Sequence, residues 1–124
     1  MSAEKSGACS GGPKLIFACS GAADVGEIAD RAARRMTRNG SGNMFCLAGI
    51  GGRVAGIIKK TEAASKVLAI DGCELDCVKS CLHQAGFQQF SHLRVTDLGM
   101  QKGKAPANDE NVATVVQHGT ALLA

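Results

Sequence analysis

The sequence of 124 residues lacks tryptophan and tyrosine, and its aromatic content is only 3%. Proteins that bind single-stranded nucleic acid usually stack the bases on aromatic side chains. The net charge of +3 is mild, and the arginines at positions 31, 34, 35 and 38 fall largely on the exposed face of a predicted helix. We therefore expect no nucleic acid partner.

The sequence also lacks long hydrophobic runs. None approaches the roughly 20 apolar residues that an α-helix needs to cross a bilayer, and the N-terminal stretch MSAEKSGACSGGPK lacks the apolar segment of a secretory signal. We therefore expect a cytoplasmic protein with no membrane partner. Because disulfides rarely persist in the cytosol, six cysteines indicate metal binding or thiol chemistry. They are Cys9, Cys19, Cys46, Cys73, Cys77 and Cys81.

Short apolar runs alternate with helical patterns along most of the chain. Residues 1–13 are rich in Gly and Ser and predict a flexible tail, whereas residues 14–124 predict a single domain. The runs 14–19, 43–48, 66–70 and 92–96 predict strands, and helical patterns follow at 24–39, 53–65, 74–85 and 109–123. This alternation predicts an α/β fold: a mostly parallel, open sheet of about four strands, Rossmann- or flavodoxin-like, with helices on both faces in three layers.

Two helix starts carry recognisable cap residues. Asp24 with Glu27 three residues later resembles a capping box, which predicts Asp24 as the N-cap of the first helix. Asn108 is the predicted N-cap of the last helix.

Cysteines occur near the carboxyl ends of successive predicted strands. Cys19 closes the first strand, Cys46 lies late in the second, Cys73 follows the third, and Cys77 lies one helical turn further. Ligands of open α/β sheets bind beyond these strand ends. Four thiolates around one ion form the tetrahedral site of structural zinc, although sulfur ligands also suit Fe–S clusters and Cu(I). Cys19 or Cys46 alone could be a buried apolar residue, whereas a helix N-terminus at Cys73 favours the thiolate. The convergence of all four predicts a metal centre.

Cys81 and Cys9 are expected to lie outside this ligand set. In a continuous helix, Cys73 and Cys81 would be separated by about 12 Å along the axis. Thiolates on one zinc ion lie about 4 Å apart. Cys81 also falls within the apolar stripe of its helix, which predicts a buried residue, and Cys9 lies in the predicted tail as at most an accessory ligand.

Polar residues at other strand ends have supporting roles in this interpretation. Asp71 and Asp97 each follow or end a predicted strand, where they would accept backbone hydrogen bonds or orient the metal ligands. The histidines at 83, 92 and 118 are dispersed and are predicted to be surface or packing residues.

Four motifs, in order, resemble the DGC-domain family, which is regarded as zinc-binding. They are Cys19-Ser20-Gly21, Cys46-Leu47-Ala48-Gly49-Ile50-Gly51, Asp71-Gly72-Cys73 with Cys77, and Thr96-Asp97-Leu98-Gly99. The resemblance spans about residues 14 to 100. It implies zinc bound by Cys19, Cys46, Cys73 and Cys77, and it implies no particular reaction. Glu74 and Cys81 depart from the family pattern.

Thiol enzymes are the alternative class. A redox enzyme or sensor could use Cys73, Cys77 and Cys81 if two of these thiols reach disulfide geometry. The loop after Cys19 is similar to the phosphate loop of low-molecular-weight tyrosine phosphatases, but the residues after Ser20 include no Arg to bind an oxyanion, which disfavours that activity. A closed four-thiolate zinc site has no open coordination position, so the metal prediction leans against an enzyme.

Overall fold

Strands and helices alternate through residues 5–6 and 11–124, which the computed structural model describes. Cys9 and most of the predicted tail lie outside these residues. The strands are β1 (Lys5–Ser6), β2 (Lys14–Ala18), β3 (Asn43–Met44), β4 (Lys66–Asp71), β5 (Phe87–Gln89) and β6 (Ser91–Arg94). The helices are α1 (Asp24–Arg38), α2 (Leu47–Gly51), α3 (Ala55–Glu62), α4 (Cys77–Gln84) and α5 (Asp109–Leu123), with a 3-10 turn at Val95–Leu98.

The main sheet has the order β3-β2-β4-β6, and all its neighbouring strands are parallel. Strand β2 is central and pairs along its whole length with β4, from Lys14 beside Lys66 to Ala18 beside Ile70. This confirms the predicted α/β class. Strand β3 lies on one side of β2, and β4 lies on the other side. The strand order therefore reverses at β2, and folds of this kind form a crevice at such a point.

The two central strands are buried on both faces because successive side chains point to opposite sides. On one face, Ile16 and Leu68 belong to a core that includes apolar residues of α1 and α5. On the other face, Phe17 and Ala69 belong to a core that includes residues of α2 and α4. The apolar runs that predict these strands therefore arise from burial in a three-layer structure. None of the helices in the described ranges is long and apolar enough to cross a membrane.

Several predicted boundaries are wrong, and the differences affect the cysteines. The second strand ends at Met44 instead of continuing to residue 48, and α2 begins at Leu47. A Cβ on Gly49 would lie 2.6 Å from Cγ1 of Ile57, so this glycine allows α2 and α3 to pack closely. The helix predicted from residue 74 begins at Cys77. The short strand β5, which pairs with β1, carried no sequence signal.

The predicted cap of the last helix is confirmed, whereas the predicted capping box is wrong. The Asn108 side chain accepts a hydrogen bond of 2.9 Å from the backbone amide of Asn111. Asp24 is the first residue of α1, and its carboxylate accepts hydrogen bonds from the amides of Gly103 and Ala105 at 2.9 and 3.0 Å. The loop before α5 is thereby attached to the start of α1.

Candidate metal centre

Three cysteines follow three neighbouring strands of the main sheet. Cys19 comes directly after β2, Cys46 follows β3 at the N-cap of α2, and Cys73 lies two residues after the end of β4. The strands β3, β2 and β4 are adjacent in that order, and neighbouring strands lie about 4.8 Å apart. The backbone amide of Cys19 donates a hydrogen bond of 3.1 Å to the carbonyl of Ile70 in β4. This bond holds the loop after β2 beside the end of β4. The cysteines therefore leave the sheet at one edge.

Cys77 reaches this edge because Asp71 holds the start of α4. The buried Asp71 carboxylate accepts hydrogen bonds from the amides of Val78 and Lys79 at 2.7 and 3.2 Å. These are the second and third residues of α4, whose own N-cap residue, Asp76, makes no side-chain cap. An acceptor at this end satisfies free N–H groups and complements the helix dipole. A residue from the sheet thus fixes the helix on which Cys77 is the first residue.

Glycines bring the Cys19 and Cys73 loops against the start of α1. A Cβ on Gly72 would lie 2.9 Å from the backbone nitrogen of Gly26, and a Cβ on Gly26 would lie 2.7 Å from the carbonyl oxygen of Gly21. Real Cβ atoms do not approach backbone atoms so closely, so these contacts require glycine. The glycine of the Asp-Gly-Cys motif is therefore explained by close packing of three backbone segments.

Strained backbone conformations flank two of the cysteines. Ser20 has φ of 50° and Asp76 has φ of 53°, in the left-handed region that non-glycine residues rarely adopt. Ser20 Oγ donates a hydrogen bond of 2.7 Å to Asp30, and the Arg94 guanidinium binds both carboxylate oxygens of Asp76 at 3.0 and 2.7 Å. The hydrogen bond from Arg94 lowers the pKa of Asp76. Strain that side-chain contacts maintain in this way is typical of functional sites.

The five cysteines among the described residues are free thiols with different exposure. Cys46 and Cys77 are exposed, whereas Cys19, Cys73 and Cys81 are half-buried. Partial desolvation of its sulfur raises the pKa of the Cys77 thiol, and negative potential from Asp71, Cys19, Cys73 and Cys81 raises it further. The Cys77 sulfur therefore lies within electrostatic range of Cys19, Cys73 and Cys81. The Lys102 ammonium lies 3.6 Å from the Cys73 sulfur.

A cleft of about 750 Å³ opens beside this group of thiols. It is lined by Cys19, Cys46 and Cys81, and Phe45 is among its apolar residues. Asp30 and Arg34, which form an ion pair of 2.7 Å on α1, also line it. Three of the cysteines therefore line one cleft that is open to solvent.

The spacing argument that placed Cys81 outside the ligand set does not hold in the structure. Cys81 is half-buried and packs against the core on the α4 side, in line with a packing role. Because α4 begins at Cys77, however, the axial separation of about 12 Å expected between Cys73 and Cys81 in a continuous helix does not apply. Asp97, by contrast, is exposed in the 3-10 turn, where it lies 3.4 Å from Arg94.

A second group of candidate ligands, which the sequence analysis did not identify, lies at the start of α4. Oxygen atoms of Asp71 and Asp76 and a ring nitrogen of His92 all lie within 4.8 Å of one another. His92 Nε2 is 2.8 Å from Asp71 Oδ2 and 3.6 Å from Asp76 Oδ1. Across residues 11–124, no three cysteine sulfurs lie within that distance of one another.

Comparisons with known proteins support the resemblance found in the sequence. The DGC domain matches residues 15–118. The chain is 36% identical over 88 residues to the anaerobic and virulence modulator AnvM of Pseudomonas aeruginosa, an alignment that covers 71% of this chain and 67% of the relative. No solved structure matches the chain. The match over most of its length shows that this protein belongs to the DGC domain family.

Proposed function

We propose that this protein binds one zinc ion through the thiolates of Cys19, Cys46, Cys73 and Cys77. The observation that carries the proposal is that three cysteines follow the ends of three adjacent parallel strands. A fourth cysteine is the first residue of the neighbouring helix α4. Four thiolates suit tetrahedral zinc. The ion would hold these sulfurs about 4 Å apart, the separation of thiolates on one zinc.

The proposed role is structural or metal-handling and not catalytic. A closed set of four thiolates leaves no coordination position for water or substrate. The ion would join the loops after β2, β3 and β4 to the first turn of α4, segments that are distant in sequence. Because the unfolded chain has no preformed ligand set, the binding free energy would stabilise the fold.

A cytoplasmic location and a regulatory role belong to the same proposal. Five free thiols suit a reducing compartment, in which they remain available as metal ligands. The relative from Pseudomonas aeruginosa is described as an anaerobic and virulence modulator, a name that denotes modulation and no reaction. We therefore propose a zinc-dependent binding or regulatory protein.

Metal analysis of the protein purified without chelators tests the proposal. We expect about one zinc per chain, and replacement of zinc by cobalt should give the sulfur-to-metal charge-transfer absorption of four thiolates. Cys19→Ser and Cys73→Ser should lose this absorption, whereas Cys81→Ser should retain it. A Cys73→Ser variant that keeps the full metal content and absorption would refute the ligand assignment.

The Asp71, Asp76 and His92 group is a second candidate metal site because its ligand atoms are already close. However, most of its carboxylate oxygens already accept hydrogen bonds from the protein. Amides of α4 and the His92 ring occupy the Asp71 carboxylate, and Arg94 occupies that of Asp76. A metal here would have to displace Arg94. We expect His92→Gln to retain metal; loss of metal in this variant, with retention in Cys73→Ser, would favour the second site.

A redox enzyme or sensor that uses Cys73, Cys77 and Cys81 is a third candidate. Cys77 and Cys81 lie one turn apart on α4, at a Cα separation of about 6 Å that disulfides can span. The thiolate is the reactive form, and desolvation raises the pKa of Cys77, which reduces its thiolate fraction. Reversible loss of two thiols in metal-free protein treated with a peroxide would support this candidate.

A further inference from the structure

The described residues offer five thiols for a proposed centre that needs four. We infer that Cys81 is an alternative zinc ligand that replaces Cys46, so that the metal exchanges between two four-thiolate sets. Both sets contain Cys19, Cys73 and Cys77. The inference rests on the proposed function and extends it from holding zinc to accepting and releasing it.

The cleft supplies the geometric basis for this exchange. Cys46 lines it at the N-cap of α2, Cys81 lines it from α4, and Cys19 lines it directly after β2. A Cβ built on Gly51 would lie 4.0 Å from the Cys81 sulfur, at van der Waals contact. Glycine at this position therefore leaves open space beside the sulfur on the cleft side.

Helical spacing allows Cys81 to share an ion with Cys77. Residues four apart lie on one face of a helix, and paired ligands at this spacing bind a single zinc ion in other proteins. Both cysteines are on α4, which spans Cys77–Gln84. Cys73 precedes α4, in a turn closed by a hydrogen bond of 3.2 Å from the Asp76 amide to the Cys73 carbonyl. Its position is therefore not set by the rise of the helix.

Exposure indicates which ligand leaves. Cys46 is exposed at the N-cap of a five-residue helix and follows a two-residue strand. Cys81 is half-buried on a longer helix that packs against the sheet. The exposed thiol has fewer packing contacts to hold its position, so Cys46 is the ligand that solvent or an acceptor molecule reaches first.

The exchange needs no oxidant. If zinc is bound, Cys81 would lose its thiol proton as it becomes a ligand, and Cys46 would take up that proton as it leaves the ion. The number of thiolates on the ion and the net charge are unchanged. Cys46 and Cys81, which both line the cleft, would then each be able to complete a set of four thiolates with Cys19, Cys73 and Cys77.

Cobalt-substituted variants test the inference directly. The wild type, Cys46→Ser and Cys81→Ser should each bind one cobalt with the absorption of four thiolates, whereas Cys46→Ser combined with Cys81→Ser should lose one sulfur. If Cys46→Ser alone has the spectrum of the double variant, Cys81 does not replace it and the inference is wrong, although the proposed function stands. A wild type that binds no cobalt through sulfur would instead refute the proposed function.

The rate of metal release provides a second measurement that does not depend on Cys46→Ser folding. We expect zinc transfer from Cys81→Ser to a colorimetric chelator to be slower than from the wild type by about tenfold, the lower end of the effects seen when groups around a metal site are altered. Gly51→Val, which fills the space beside the Cys81 sulfur, should slow transfer similarly while zinc content stays at one per chain. Wild-type transfer rates in both variants would overturn the inference.

Discussion

The Asp71 carboxylate accepts a hydrogen bond of 2.7 Å from the backbone amide of Val78, seven residues further along the chain. This contact lets a residue at the end of β4 perform the capping role that Asp76 does not perform for α4. Because α4 begins with Cys77, the same contact positions a proposed zinc ligand. The aspartate of the Asp-Gly-Cys motif therefore positions a ligand of the proposed metal centre through the backbone of a helix.

Asp71→Asn should destabilise the protein and weaken metal binding. The substitution removes the negative charge that interacts with the N-terminus of α4 and with His92. It also places an amide NH2 group, which is a donor, beside other hydrogen-bond donors in a buried site. Losing a helix cap and a charged hydrogen bond costs about 2–3 kcal/mol of unfolding free energy. Urea denaturation measures this loss, and titration with a competing chelator measures the zinc affinity.

Asp97→Asn is the matched control for Asp71→Asn. Asp97 also follows a strand, but it is exposed and lies 3.4 Å from Arg94. Exposed ion pairs contribute about 0.5 kcal/mol or less. An effect of Asp71→Asn no larger than that of Asp97→Asn would show that α4 does not depend on this carboxylate.

Gly72→Ala should separate the Cys73 loop from α1. Its Cβ would lie 2.9 Å from the nitrogen of Gly26 and from the carbonyl carbon of Val25, and neither backbone atom can rotate away. Overpacking of this kind costs about 1–3 kcal/mol, and we expect weaker zinc binding because the Cys73 sulfur moves with its loop. Thermal denaturation and chelator competition on the same sample check both effects.

Gly56→Ala provides the comparison for Gly72→Ala. Gly56 lies within α3, and a Cβ there would meet no heavy atom within 4 Å. Alanine is the better helix former, so this variant should be neutral or more stable by up to about 1 kcal/mol. Equal destabilisation by the two substitutions would contradict the close-packing explanation of Gly72.

The sequence predicts the central strands well and the surroundings of α4 poorly. Strands β2 and β4 are buried on both faces, so their apolar runs are continuous and distinct. The Asp71–His92 contact joins residues 21 positions apart. It follows only from the parallel register that places His92 beside Ala69, two residues before Asp71. The hydrophobic periodicity within either strand does not specify how the two strands align.

The position of Cys46 illustrates a different limit. An apolar run through residues 43–48 predicts a strand, yet pairing with β2 covers only Asn43 and Met44. The glycines that follow allow α2 to turn and pack on α3, which requires the contact between Gly49 and Ile57. The sequence therefore identified the sheet edge at which Cys46 lies, whereas its place at a helix start depends on tertiary packing.

The Asp24 carboxylate should make stability depend on acid pH. Hydrogen bonds from the Gly103 amide, then from the Ala105 amide, lower the pKa of Asp24 below its value of about 3.9 in an unfolded chain. A lowered folded-state pKa means that the ionised group stabilises the fold above about pH 4 and that this contribution disappears as pH falls through the folded value. Asp24→Asn should therefore lower the Tm at pH 7.

The difference in Tm between the wild type and Asp24→Asn should narrow as the pH falls from about 4 through the lowered folded-state pKa of Asp24, because both side chains are uncharged below that pKa. Glu110→Gln is a suitable control, since it removes an acidic charge from the first turn of α5 instead of α1. Its Tm should change little at either pH. A constant difference for Asp24→Asn across the acid range would show that the charge of Asp24 does not attach the 101–105 loop to α1.

Removal of metal should destabilise the wild type reversibly. A ligand that binds only the folded state at 100 times its Kd stabilises that state by about 2.7 kcal/mol, so treatment with a chelator should lower the Tm and added zinc should restore it. Cys73→Ser, which lacks a proposed ligand, should have a lower Tm that neither treatment changes. If the wild type loses its zinc while its Tm stays constant, the ion does not join the strand ends to α4. A Cys73→Ser variant that still responds to zinc would assign the stabilising metal to other residues.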